Sequence, residues 1–255
     1  MASLQTLPIL LKELRLSAIA QHWEVMAQKA IKEEWEPSQY LAELCEIETT
    51  HRYENKLNRL LKDSKLPSGK QIQHYQFDEV EGVTPLQLKH KSTELDWLRK
   101  GHNLLIFGAS GLGKTHLAAA LGYSLIEKAV QVKFTTSTTL VQELQRAKEE
   151  LKLVDALRKL DKYELLILDD IGYVKKTDNE TQVLFELIAH RYERGSMLIT
   201  SNQPFSEWTS IFGDNMMTVA AIDRLIHHAD IYQLQGESYR KKQAMKSNQK
   251  IGQVN

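Results

Sequence analysis

The sequence predicts an α/β protein with a mostly parallel sheet flanked by helices, preceded by a small all-α domain. Three observations carry that prediction. From residue 102 onward, short apolar runs alternate with helix-period segments, the pattern of a parallel sheet with helices on both faces. The first of those runs, residues 104–107, passes through Gly108-Ala109-Ser110-Gly111-Leu112-Gly113-Lys114-Thr115 into a helix-forming stretch that begins at His116. That is G-x-x-x-x-G-K-[ST] in a strand–loop–helix setting, a phosphate-binding loop. Before all this, residues 1–65 carry apolar side chains at helical spacing.

Composition bounds the rest. The chain has 255 residues, 42% apolar and 26% charged, enough for a globular protein with a core. No apolar run approaches the length of a membrane span, and Met1-Ala2-Ser3-Leu4 does not open a secretion signal. Cys45 is the only cysteine, so no internal disulfide is expected and ordinary packing is its expected fate. A cytoplasmic location is expected. The 33 basic and 33 acidic residues cancel. Binding of nucleic acid by a globally basic surface is thereby excluded, but a local basic patch is not.

In chain order, Leu7, Leu10, Leu11 and Leu14 mark a first helix. Ser17 is expected to cap a second, with Ile19, Trp23, Met26 and Ala30 on one face. Pro37-Ser38 reads as a stop and a cap for a third helix that runs to about Asp63 and packs through Leu41, Leu44, Ile47, Leu57 and Leu61. Residues 24–48 hold seven acids against two bases, and residues 49–70 six bases against two acids. Arg52, Lys56 and Arg59 follow at spacings of four and three, so they share a helical face and form a candidate DNA-binding stripe. Residues 66–100 are expected to be a linker and entry segment, in which Tyr75 or Phe77 is a candidate lining for a base pocket. Strands are expected at 103–107, 130–135, 164–169, 196–200 and 230–234. Helices are expected at 114–128, about 138–160, 180–193 and 219–227. A short basic tail occupies 241–255.

The chemistry gathers where the strands end. Glycines let successive N–H groups of the loop point at phosphate, and the following helix presents its positive end. Gly108, Ala109, Ser110, Gly111, Leu112, Gly113, Lys114, Thr115 and His116 are therefore the candidate ATP-binding set. Lys114 is placed on the β- and γ-phosphates, and the Thr115 hydroxyl on magnesium. The run Leu165-Leu166-Ile167-Leu168-Asp169-Asp170 ends a buried strand in two carboxylates. Asp169 is assigned to Mg2+, largely through water, and Asp170 to the attacking water. Asn202, after the next strand, is the candidate that reaches water and γ-phosphate, with Thr200 second. Arg224 is a candidate finger for the charge that develops in hydrolysis. His227-His228 lacks a second pair of ligands at zinc spacing, so no metal site is assigned there.

These motifs together resemble the IstB-type transposition helper ATPases, a branch of the AAA+ class close to helicase loaders of the DnaC and DnaI type. Beyond the two nucleotide motifs, the resemblance rests on Arg191-Tyr192-Glu193-Arg194-Gly195-Ser196, Thr200-Ser201-Asn202-Gln203-Pro204-Phe205, Asp223-Arg224-Leu225-Ile226-His227-His228 and Gly236-Glu237-Ser238-Tyr239-Arg240. It covers nearly the whole chain and is strongest over 101–240. The resemblance implies an AAA+ ATPase domain at 101–240 and a DNA- or partner-binding domain at 1–65. It implies ATP-driven assembly on duplex DNA, homo-oligomers with ATP sites at subunit interfaces, and delivery of target DNA to a partner transposase. Asn202 matches a sensor position, Arg224 a finger acting on a neighbouring subunit, and Arg240 a nucleotide contact. Arg146, Lys148 and Lys152 are further residues that would face DNA.

Two departures from the AAA+ pattern stand out. Asp170 replaces the usual Glu and reaches about one methylene less far, which predicts slow hydrolysis, since catalytic geometry is sensitive at about 1 Å. Few residues follow the last strand, so no C-terminal lid domain is expected. Two other readings stay open: a helicase loader whose N-terminal domain grips a helicase, and a small-molecule kinase using the same loop.

Overall fold

The computed structural model describes residues 4–172, 177–204, 206–208 and 215–239. The chain divides into two compact units, residues 1–59 and 60–255. Among the described residues, no helix is long and apolar enough to cross a membrane.

The first unit holds α1 (Leu7–Glu13), α2 (Ser17–Lys32) and most of α3 (Pro37–Ser64). Its core is small: Leu11, Ile19 and Leu44 are buried, with Trp23, Met26 and Tyr40 packed around them. Ser17 is the first residue of α2 and makes no cap, contrary to expectation. Glu48 takes the cap's place from α3: its carboxylate accepts from the backbone N–H groups of Ala18 at 2.9 Å and Ile19 at 3.2 Å. A helix N-terminus needs such an acceptor, and a charge suits its positive end. Pro37 likewise begins α3, where its missing N–H costs nothing. Leu41 is 60% exposed and Leu61 40%, so neither is the packing residue that the spacing predicted.

The second unit is built on six strands: β1 (Val80–Glu81), β2 (Asn103–Gly108), β3 (Val132–Thr136), β4 (Leu165–Ile171), β5 (Ser196–Ser201) and β6 (Ala229–Gly236). Their order is β1-β6-β2-β5-β4-β3, parallel except for β1, which pairs antiparallel with the end of β6. The strand that feeds the phosphate loop thus lies inside the sheet, with a neighbour on each side. Side chains alternate between the faces. Leu104, Ile106, Leu165, Ile167 and Leu198 pack on α6 (Lys114–Ile126) and on Leu88, Trp97 and Leu98 of α4 (Pro85–Thr93) and α5 (Asp96–Arg99). Leu105, Phe107, Leu166, Leu168, Met197 and Ile199 face α7 (Ser137–Glu149), α8 (Leu153–Leu160), α9 (Asp178–Arg191) and α10 (Asn215–His227).

Two elements differ from expectation. The single helix expected over about 138–160 is two, because Leu151 turns the chain with φ 57° and swings Leu153 and Leu157 onto the core. Residues 66–100, expected as a linker and entry segment, hold packed elements of their own. Leu66 and Ile72 pack against the sheet core, and Thr84 and Gln87 form a capping box for α4.

Candidate nucleotide-binding site

At the carboxyl ends of the parallel strands lies a cleft of about 730 Å³. Ser110, Gly111, Leu112, Gly113, Lys114, Thr115 and His116 line it from the loop and α6, with Asp170 from β4, Thr200 from β5 and Asn202 just after β5. Gly108 and Ala109, the other loop candidates, turn their carbonyls to the lysine: Lys114 Nζ donates to Gly108 O at 2.8 Å and to Ala109 O at 3.0 Å. Gly113 has φ 81° as the residue before α6, and a Cβ there would meet the Tyr75 ring at 2.9 Å. Gly111 has φ 87°, and a Cβ there would fall 2.1 Å from Ser238 Oγ. Both the conformation and the close approach require glycine.

The acid pair is held by two threonines. Thr115 Oγ1 donates to Asp169 Oδ2 at 2.9 Å, and Thr200 Oγ1 donates to Asp169 Oδ1 at 2.6 Å. The same Thr200 oxygen accepts from the Asp170 backbone N–H at 2.8 Å. Asp169 is buried, and burial pushes its carboxyl above the usual range against the lowering pull of the Thr200 and Thr115 hydroxyls. Asp170 is aimed by the backbone. The pairing of β4 with β5 slips between Leu168 and Ile171, and Asp170 takes φ 63°. A bulge re-aims a side chain, and Asp tolerates the left-handed region better than most residues. Asn202 Oδ1 is buried without a hydrogen-bond partner among the described residues, an acceptor left open in a residue that lines the cleft.

The walls come from segments that the motifs did not mark. Lys70, His74, Tyr75, Gln76, Glu79 and Val80 line one side, and Glu237 and Tyr239 another. Tyr75 is buried. Its hydroxyl donates to Leu112 O at 3.4 Å, and burial pushes it up to about 12. Phe77 meets Tyr75 edge-on at 4.8 Å and packs into the core, so Tyr75 is the one of the two aromatics that lines the cleft. His116 sits edge-on to Tyr75, and its Nε2 lies 3.1 Å from Gln71 O. Burial lowers its pKa, which favours the neutral ring at pH 7. Tyr239 N–H donates to Gly111 O at 3.1 Å. The signal for Glu237 and Tyr239 was the segment from Gly236 onward; nothing in the sequence marked Lys70 to Gln76 as wall except the aromatic Tyr75.

Other candidates lie elsewhere. Arg224 is exposed on α10, donates to Ala220 O at 3.1 Å, and does not line the cleft of its own chain. Lys56 and Arg59 are exposed on α3, whereas Arg52 is engaged: Nε donates to Glu48 at 2.8 Å and Nη2 to Arg15 O at 2.9 Å. Arg240, the tail over 241–255 and the question of a lid lie outside the described residues.

The residues present fit a magnesium nucleotide. The loop is a cradle that a Cβ would fill, and the Thr115 hydroxyl and the Asp169 carboxylate meet as a pair of oxygen donors of the kind magnesium selects. The family model described as IstB-like ATP binding protein matches residues 9–247. The chain belongs to that family. Within it, a putative insertion sequence ATP-binding protein of Sinorhizobium fredii is 47% identical over 96% of this chain and 83% of its own length. The putative ATP-binding protein of insertion sequence IS5376 from Geobacillus stearothermophilus is 37% identical over 89% of this chain and 90% of its own. Among solved structures, DnaI matches 67% of this chain and 95% of its own with TM-score 0.55 at 17% identity. AMPPCP-bound DnaA from Aquifex aeolicus matches 66% of this chain and 51% of its own with TM-score 0.54 at 16% identity. The IstB-like chain therefore has the AAA+ fold, with a helical N-terminal region.

Proposed function

We propose that this chain binds and hydrolyses ATP in the cleft, assembles on duplex DNA, and delivers target DNA to a partner transposase. The observation that carries the nucleotide part is the meeting of Thr115 with Asp169 beside Lys114 and Asp170. Lys114 takes the β- and γ-phosphates in place of its loop carbonyls, and loop N–H groups and the N-terminus of α6 bind the remaining oxygens. Thr115 and Asp169 hold magnesium, which when bound neutralises charge building on the phosphates. Thr200 fixes both acids, so Asp170 points at the water that attacks, and Asn202 orients that water from the next strand. Arg224, outside its own cleft, acts on the nucleotide of a neighbouring subunit. The helical unit contacts DNA through Lys56 and Arg59, and Arg52 adds charge while it also supports the fold.

Membership in a family of insertion sequence ATP-binding proteins supports the transposition role over a helicase-loading one, for which the likeness to DnaI supplies fold alone.

The test is sizing with ATP, with and without duplex DNA. A large assembly is expected only with both. Lys114→Ala is expected to abolish it, and Asp170→Asn to assemble without turnover. Lys56→Ala with Arg59→Ala is expected to reduce the salt slope of DNA binding by about two. Normal turnover by assembled Arg224→Ala removes the finger assignment, and assembly indifferent to DNA removes the DNA role.

A further inference from the structure

Away from the cleft, the end of α10 meets the turn between α9 and β5. One ligand atom from each of Glu193, His227 and His228 lies within 4.8 Å of the others. The sequence offered only the histidine pair; the fold adds the carboxylate. His228 Nε2 and Glu193 Oε1 stand 3.9 Å apart. That is too far for a hydrogen bond. It is close to the ~3.4 Å that separates two ligands each about 2.1 Å from a tetrahedral ion.

The rings are already oriented. The Tyr192 hydroxyl lies 2.8 Å from His227 Nδ1, which leaves Nε2 open. A metal-bound histidine is commonly fixed through its second nitrogen in this way. His102 stacks on His228 with centroids 5.0 Å apart and planes at 6°, and the His227 ring lies 4.0 Å from the His228 ring. Glu193 and His227 are exposed and His228 is half-buried, so an ion has access and room for a water ligand.

We propose that Glu193, His227 and His228 form a surface site for a borderline divalent cation of the zinc class, which pins the end of α10 to the turn before β5. Two imidazoles and one carboxylate suit zinc, cobalt or nickel, whereas magnesium selects oxygen ligands. None of the three lines the nucleotide cleft of its own chain, and the metal site does not depend on the function proposed for that cleft.

The test titrates the full chain, free of any histidine tag, with cobalt(II) in excess magnesium, which keeps the oxygen-ligand sites occupied. One equivalent is expected to bind with tetrahedral visible absorption, and zinc(II) to displace it. His228→Ala is expected to weaken binding by at least ~100-fold, and Tyr192→Phe by ~10-fold. His190→Ala, a histidine paired with Asp161 elsewhere, is expected to change nothing. Circular dichroism checks each fold. If His228→Ala misfolds, Glu193→Gln and Tyr192→Phe decide. The proposal is overturned if the native chain shows no such absorption, or if it persists unchanged in the folded variants.

Discussion

Thr200 serves both acids at once, through one hydroxyl that donates to Asp169 and accepts from the Asp170 N–H. Valine has the same shape and no oxygen, so Thr200→Val leaves a part-buried N–H and a buried carboxylate oxygen short of a partner, the latter at ~1–3 kcal/mol. The expected result is weaker magnesium-dependent nucleotide binding and slower turnover while Lys114 is untouched; wild-type turnover would sink the assignment. Glu48 plays a comparable part in the helical unit. Burial pushes its carboxyl up, but Arg52 and the N–H groups of Ile19 and Ala18 outweigh this and hold it below the usual range. A depressed carboxyl stabilises the fold above its unfolded pKa of about 4.3, and the contribution is lost as pH falls through the folded value. Acidification is therefore expected to speed amide exchange at Ala18 and Ile19, corrected for the intrinsic pH dependence. Glu48→Gln is expected to do so already at pH 7, by the equivalent of about 1.5–3 kcal/mol. Equal protection in both proteins at pH 7 would show that the cap carries no weight.

At the scale of elements, Arg191 joins three of them and the turn that precedes a fourth. From the end of α9 it donates to Leu160 O of α8 at 3.1 Å, to Tyr163 O before β4 at 3.0 Å, and to Ser196 O of β5 at 3.0 Å. Burial lowers its pKa to about 10, still charged at neutral pH. Gly195 makes room for it, since a Cβ there would fall 2.5 Å from Nη2. Gly195→Ala is expected to displace the guanidinium and lower stability by about 1–3 kcal/mol, read as an earlier urea midpoint. An unchanged midpoint would mean the guanidinium moves without loss. Elements of this kind explain what the sequence made visible. Buried strands such as residues 104–107 and 165–168 announce themselves as apolar runs, because both faces of a parallel sheet are covered. The break at Leu151 has no Gly or Pro to mark it and follows from the packing of Leu153 and Leu157. The two residues of β1 are too few for any period, and the slip that aims Asp170 exists only in the pairing of β4 with β5.

Over the whole molecule, the cleft draws on distant parts of the chain. The motifs named its floor, because phosphate chemistry fixes local spacing. Its walls come from residues 70–80 and 237–239, of which the sequence marked only the aromatic Tyr75 and the segment from Gly236 onward. Arg224 stays outside it, so subunit contact and turnover are expected to rise together.

The bond from Tyr239 N–H to Gly111 O has a kinetic consequence. That single amide, far along the chain from the loop, exchanges with solvent only when the clasp opens. A nucleotide that rigidifies residues 108–115 is expected to slow deuterium uptake at Tyr239, and Lys114→Ala to erase the slowing. The Tyr239 amide is thus a built-in clock for the loop, readable without following hydrolysis.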